Sequence, residues 1–145
     1  MKEQELKIEK TKEEKLKEEY IKYRLLRDRL TTLLSQKSLL EKNMESLKET
    51  IETIKSISRV KIPTEIFASL GNDAYIKVDL KDNKNILVNI VAGIILEKSI
   101  EDALKIFEAK IEDLKKLIEE INKQVEIFEK EIDLSEKRII EISKK

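Results

Sequence analysis

The fold is decided by residues 63–98, which read PTEIFASLGNDAYIKVDLKDNKNILVNIVAGIILEK. This stretch contains the only proline of the chain, Pro63, and both of its glycines, Gly71 and Gly93. Proline and glycine interrupt helices, and long charged segments with helical periodicity lie on both sides. The sequence therefore predicts a helix, a small β element and a second helix.

The first half of this stretch has the pattern of a β-hairpin. Residues 65–70 are rich in apolar side chains and lead into the turn-forming triplet at 71–73. In the next run, Ile76, Val78 and Leu80 alternate with polar residues, so these three side chains share one face of a strand. Two such runs joined by a turn predict a hairpin.

A second hairpin follows the polar loop at residues 81–85. The run at 86–91 is β-branched and too apolar for a strand with one solvent-facing side. Ala92 and Gly93 end it, and residues 94–98 continue as a further short run. Residues 59–98 are therefore predicted to form two hairpins.

Two hairpins of this apolarity leave strand edges and apolar faces uncovered, and exposed edges pair with other chains. We therefore expect residues 59–98 to be an assembly surface that builds a sheet or barrel with other subunits. The alternative is a small β cap packed on the helices of the same chain. The predicted assembly surface consists of Ile66, Phe67, Leu70, Tyr75, Ile76, Val78, Leu80, Ile86, Val88, Ile90, Ile94 and Leu96.

The first arm, residues 1–58, has the heptad pattern of a coiled coil. Its d positions are apolar over five consecutive heptads, whereas Lys37 interrupts the a positions. The d row consists of Leu26, Leu33, Leu40, Leu47 and Ile54. Before Leu16 the pattern fails, and after Met1 the residues up to 15 offer only Leu6 and Ile8 as apolar side chains. They are interpreted either as a solvated helix end or as a tip that presents two apolar groups.

The second arm, residues 99–145, has a more regular seam. Ser99 is a candidate N-cap, with a carboxylate three residues later at Asp102. Of the thirteen a and d positions that follow, twelve are apolar, and Ser135 is the exception. Because the arms flank a compact insert, we expect them to fold back as an antiparallel coiled coil. Pairing Ile54 with Ile100 places Leu16 opposite about residue 138.

Composition excludes several classes of function. Charged residues make up 41% of the chain and balance at 30 acidic and 30 basic, mixed along its length, which argues against nucleic-acid and membrane partners. There is no Cys and no His, so thiolate, imidazole and Cys/His zinc chemistry are absent. No glycine-rich phosphate loop is present, and acidic pairs such as Glu119-Glu120 are interpreted as solvated helix faces. We expect no enzyme activity, no metal and no cofactor.

Cellular location is predicted from what the chain does not contain. No apolar run reaches the roughly 18 residues needed to span a bilayer, and the first residues do not resemble a signal peptide. The absence of Cys fits a cytoplasmic protein.

Four motifs resemble the alpha-class subunit of prefoldin, in its archaeal type. They are EIFASLG at 65–71, AYIKVDL at 74–80, ILVNIVAG at 86–93 and EKSIEDAL at 97–104. The resemblance covers the architecture of the whole chain, and in motif detail residues 63–105. It implies a mainly α fold in which two long helices form an antiparallel coiled coil, joined by two β-hairpins that oligomerise into a β-barrel.

The resemblance also implies a function. Subunits of this family act in the cytosol as ATP-independent chaperones that assemble with one another or with beta-type subunits. They hold unfolded polypeptides at the tips of their arms and deliver them to a group II chaperonin. By position, the tip candidates are Leu6, Ile8, Ile139, Ile140 and Ile142. Ile139 and Ile142 equally well close the seam, so Ile140 is the stronger candidate.

Two alternatives stay open from the sequence. The gamma variant of archaeal prefoldin resembles alpha subunits but polymerises into filaments, and a filament or scaffold role fits the same strand edges. A weaker third interpretation is a coiled-coil tether without chaperone activity.

Overall fold

The computed structural model describes residues 11–144, so Leu6 and Ile8 lie outside the described residues. Helix α1 spans Lys12–Ser58 and helix α2 spans Ile100–Lys144. Between them lie strands β1 (Thr64–Gly71), β2 (Ala74–Leu80), β3 (Asn85–Val91) and β4 (Ile94–Ser99). This order confirms the predicted helices and hairpins.

By its internal contacts the chain divides into two units. One contains the described residues up to Glu41 and from Lys116 onward, and the other is Lys42–Lys115. The interpretation of residues 1–145 as one elongated unit, with segment boundaries near 58 and 98, stays a prediction.

Both helices begin with a side-chain cap. The backbone N–H of Glu14 donates to Thr11 Oγ1 at 3.2 Å, and the N–H of Asp102 donates to Ser99 Oγ at 3.2 Å. Each cap satisfies one of the four N–H groups that have no partner inside a helix. The Ser99 cap confirms the prediction, whereas the Thr11 cap was not predicted although Thr11 and Glu14 have the spacing of a capping box.

In the first unit, the helices pair in the predicted antiparallel register. Lys12 Nζ donates to the carbonyl of Ser143, and Ser135 Oγ donates to a carboxylate oxygen of Glu19. Pairing Ile54 with Ile100 implies pairing Glu19 with Ser135, because both pairs sum to 154. The buried apolar residues of this unit are Leu26, Leu33 and Ile132.

In the second unit, the core includes one strand as well as both helices. Its buried apolar residues are Ile51, Ile54, Val88, Ala103 and Ile111. Each hairpin closes with a two-residue turn, at Asn72-Asp73 and at Ala92-Gly93. Positive φ angles at Asn72 (47°) and Asp73 (61°) match the right-handed twist of the flanking strands.

The loop between the hairpins joins the helix ends to the strands. Asn83 Nδ2 donates at 3.3 Å to the carbonyl of Ile57, in the last turn of α1, and at 2.8 Å to that of Val60, two residues after the helix ends. Carbonyls at a helix end lack partners inside the helix, so Asn83 caps α1 at Ile57 from 26 residues further along the chain. One residue later, the carbonyl of Lys84 accepts from the N–H of Ile100, the first residue of α2.

The same loop is folded around Asp82. Its Oδ1 accepts from the backbone N–H of Lys84 at 2.8 Å, and its Oδ2 accepts from Asn85 Nδ2 at 3.3 Å. Because these bonds favour the charged form, the Lys84 N–H first and the Asn85 amide second, they hold the pKa of Asp82 below its ordinary value of 3.8.

Replacing Asn83 tests the cap on α1. We expect Asn83→Ala to lower the free energy of unfolding by about 1 kcal/mol, because carbonyls at the helix end lose their donor. Asn83→Asp should cost more, since a carboxylate cannot donate and is repelled at a helix C-terminus. The measurement is thermal unfolding followed by circular dichroism at one protein concentration. Asn122→Ala, on the exposed surface of α2, is the control and should not destabilise the protein. Equal losses of stability in Asn83→Ala and Asn122→Ala would contradict the assignment of Asn83 as a cap of α1.

The Asp82 turn predicts a pH dependence. A carboxyl whose pKa is lowered on folding stabilises the protein above its ordinary pKa and loses that contribution as pH falls through the folded pKa. The difference in melting temperature between wild type and Asp82→Ala should therefore be constant from about pH 7 to pH 5 and shrink below about pH 4. A difference that stays constant down to pH 2 would show that the carboxylate charge is unimportant.

Candidate functional site

One face of the first hairpin is aliphatic and partly covered. Ile66 pairs with Val78 and Ala68 pairs with Ile76 across the strands, so these four side chains lie on the same face. Ile66 is half-buried, whereas Val78 and Ile76 are exposed. Half-buried Leu80 continues this face, which agrees with the alternation found in the sequence.

The opposite face of the first hairpin carries two exposed aromatic rings. Phe67 is 67% exposed and Tyr75 is 61% exposed, and both line one shallow groove. Beside them, Lys77 Nζ lies 3.9 Å from a carboxylate oxygen of Glu65. That ion pair is solvent-exposed and stabilises little, so the aromatic rings dominate the chemistry of this face.

One face of the second hairpin packs against the core of its own chain. Val88 is only 3% exposed, Ile86 beside it is half-buried, and both line an open groove of about 420 Å³ together with Ile54 and Phe107. Because Val88 is covered by its own chain, its prediction as an assembly-surface residue is wrong.

The outer face of the second hairpin is aliphatic and exposed. Leu87 is 71% exposed, Val91 60% and Ile95 62%. None of these three was predicted as part of the assembly surface. The run at 86–91 did indicate a strand with two apolar faces, because it is too apolar for a strand with one solvent-facing side. Of the predicted residues, Ile94 lies on this outer face and is exposed. Ile90 and Leu96, on the same face as Val88, and Leu70, in the first hairpin, are exposed as well.

The hairpins do not join each other in the described part of the chain. Each forms a separate two-stranded antiparallel sheet, β1 with β2 and β3 with β4. Two strands alone are marginally stable in water, and both outer edges of each sheet lack a strand partner here. The arrangement therefore provides edges and apolar faces for further strands.

A second group of exposed apolar residues lies in the first unit. Ile139 and Ile142 are half-buried in the seam, as the alternative interpretation of these positions expected, whereas Ile140 is 54% exposed. Ile140 lines a groove with Tyr20 and Tyr23. We call residues 12–29 and 128–144 the arm end.

A larger groove at the arm end was not predicted. It has a volume of about 550 Å³ and is lined by Ile21, Leu25 and Phe128, with Lys22 and Arg29 among its charged residues. Ile21 and Leu25 lie outside the a and d positions and are exposed. The pairing of the helices does not require them to be apolar, so they are candidates for contact with another molecule.

The described residues offer no site for metal chemistry. Among residues 11–144, no group of three or more acidic side chains could hold a metal ion. Neither described helix is long and apolar enough to cross a membrane.

Comparison with known proteins agrees with this geometry. The family model for prefoldin subunits matches residues 26–145, most of the chain. The chain belongs to the prefoldin family. Within that family, a filamentous prefoldin of Methanocaldococcus jannaschii, solved by cryo-EM, has the same fold, with a TM-score of 0.71 at 18% identity over 77% of this chain and 92% of the other.

Curated relatives point to the alpha class of prefoldin. Prefoldin subunit alpha of Methanococcus aeolicus is 35% identical over 68 residues, which are 47% of each chain. The Methanococcus maripaludis subunit alpha is 29% identical over the same share. Prefoldin subunit alpha 1 of Thermococcus kodakarensis is 30% identical over 91 residues, 56% of this chain and 60% of the other. The chain thus spans about half the length of the curated relatives it matches.

A charge on the outer face of the second hairpin should prevent self-association. We expect Leu87→Lys and Ile95→Lys each to reduce the assembled fraction at least tenfold, because a buried ammonium without a partner is strongly unfavourable. Sedimentation velocity gives the assembled fraction. Leu117→Lys, the same change at an exposed leucine of α2, is the control and should assemble like wild type; unchanged assembly in both hairpin variants would contradict this use of the face.

Proposed function

We propose that this prefoldin subunit is an ATP-independent holdase chaperone. It assembles with other subunits through its hairpins, holds non-native polypeptides at the arm end and delivers them to a group II chaperonin. The observation that carries the proposal is the exposure of apolar side chains in two places, on the hairpin faces and at the arm end. Membership of the prefoldin family supports a chaperone-type role.

The hairpins supply the assembly half of the proposal. Their unpaired edges and exposed faces suit closure into a β-barrel with other hairpins, either of identical subunits or of beta-type prefoldin subunits. A barrel has no free edges, so assembly of this kind satisfies the backbone groups that one chain leaves unpaired.

The arm end supplies the binding half. Ile140 with Tyr20, and Ile21 with Leu25, give two grooves of aliphatic and aromatic side chains on a helix pair rich in charge. Hydrophobic contact is non-directional, so such grooves hold apolar segments of many sequences. No hydrolysis of ATP is needed, because binding and release follow the exposure of apolar surface on the client. We place this activity in the cytoplasm.

A second candidate function is a filament with a structural role. The cryo-EM structure with the same fold is a filamentous prefoldin, and open-ended contacts between the same hairpins would extend a fibre instead of closing a ring. Electron microscopy of the purified protein alone separates the candidates. Long filaments favour the second, and closed oligomers, or assembly only with a beta-type subunit, favour the hexameric chaperone.

The holdase activity is tested at the arm end. We expect Leu25→Ser and Ile140→Ser together to weaken suppression of aggregation of a denatured test protein about tenfold, since two apolar contacts are lost. The measurement is light scattering at equal molar ratios, without ATP.

Two controls accompany this test. Leu117→Ser removes an exposed leucine about 35 Å along α2 from Ile140 and should keep full activity. Sedimentation should show that the double variant still assembles. A wild-type protein that assembles but does not suppress aggregation would refute the holdase proposal and leave the filament role.

A further inference from the structure

The seam between the helices contains a layer at the arm end in which both helices supply a polar residue. In the heptads of α1, the d position before Leu26 is Glu19, and in α2 the polar d position is Ser135. Ser135 is completely buried, and its Oγ donates to Glu19 Oε1 at 2.9 Å. The polar d residue of one helix is therefore paired with the polar d residue of the other.

Neighbouring side chains complete the polar layer. Arg138 Nη1 lies 3.7 Å from the same Glu19 oxygen, and the Glu19 side chain is only 16% exposed. One turn along α1, the hydroxyl of Tyr23 donates to Glu136 at 3.1 Å and accepts from Arg27. A buried carboxylate is tolerated only when it is paired with a cation and hydrogen-bonded. For Glu19, α2 supplies both partners, the guanidinium of Arg138 and the hydroxyl of Ser135.

Only one register preserves this layer. With Glu19 opposite Ser135, Leu26 is opposite Phe128 and Leu33 is opposite Ile121, so apolar d residues meet apolar ones. A slip of one heptad in one direction places Ser135 opposite Leu26 and Glu19 opposite Ile142, and a slip in the other direction places Glu19 opposite Phe128. Either slip buries a polar group without its partner, which is strongly unfavourable.

We propose that the Glu19–Ser135 layer fixes the register of the arm end and makes each α1 helix pair with α2 of its own chain. A single polar residue in an otherwise apolar coiled coil is known to select register and partner at some cost in stability. This inference rests on the proposed assembly through the hairpins, which would bring together several arms with the same heptad seam. A slipped or exchanged arm would also separate Tyr20 from Ile140 and remake both grooves of the arm end.

Disulfide trapping tests the proposal, since the chain has no cysteine of its own. Leu26→Cys with Phe128→Cys reports the native register, because both residues line one groove. Leu33→Cys with Phe128→Cys reports a one-heptad slip. A third reporter detects exchange between chains. Chains that carry only Leu26→Cys are refolded together with chains that carry only Phe128→Cys, and a disulfide between the two shows exchange.

Each reporter is compared between wild type and Glu19→Leu/Ser135→Leu, in which this polar layer becomes apolar. We expect the melting temperature of the double variant to be no lower than that of wild type. The fraction of slipped or exchanged disulfides should nevertheless increase about tenfold. Glu19→Gln keeps an acceptor for Ser135 and should trap the native register alone. Ile121→Leu is the matched seam control and should behave like wild type.

Two results would overturn the proposal. The first is a double variant that melts at or above the wild-type temperature and forms only native-register disulfides. The second is a Glu19→Gln variant that slips as freely as the double variant, which would show that the hydrogen bond to Ser135 does not select the register.

Discussion

A two-stranded hairpin cannot bury both of its faces, and the rest of this structure depends on that constraint. The second hairpin is apolar on both sides. Val88 faces the chain's own core, which leaves Leu87, Val91 and Ile95 directed to solvent. The first hairpin leaves Phe67 and Tyr75 exposed in the same way. Apolar surface of this extent on unpaired strands is what the proposed assembly through the hairpins would cover.

The polar loop between the hairpins gives this surface a fixed base. Asn83 caps α1, Asp82 folds the loop on itself, and the carbonyl of Lys84 accepts from the first residue of α2. Three consecutive residues, 82–84, thus connect the end of one helix, the start of the other and Asn85, the first residue of β3. Hairpins that are weak on their own are thereby held on long helices, so that closing a barrel requires less ordering of the free chain.

Local patterns predicted most of this fold. Alternation located the strands, glycines located the turns, and the heptads gave both helices and their antiparallel register. The features that the sequence did not predict depend on contacts between residues far apart in the chain. Alternation could not decide which face of β3 points inward, because Ile86 and Leu87 are equally apolar, so Val88 was assigned to the wrong surface. Nothing local to Asn83 indicates that its amide reaches α1. The groove was missed because its exposed residues, Ile21 and Leu25, lie outside the heptad seam, to which Leu26 and Phe128 belong.

The arm end combines two requirements that oppose each other. The proposed binding of non-native protein needs exposed apolar side chains on the outside of the helix pair, and Ile21, Leu25 and Ile140 are exposed there. The same side chains raise the number of apolar surfaces on which a neighbouring arm could pack. A seam held only by hydrophobic contact would not discriminate among these arrangements, because that contact is non-directional. Hydrogen bonds are directional, and the bond between Ser135 and Glu19 is satisfied in one arrangement only. This polar layer of the seam therefore lies at the same arm end as two exposed apolar grooves, where a neighbouring arm could otherwise pack.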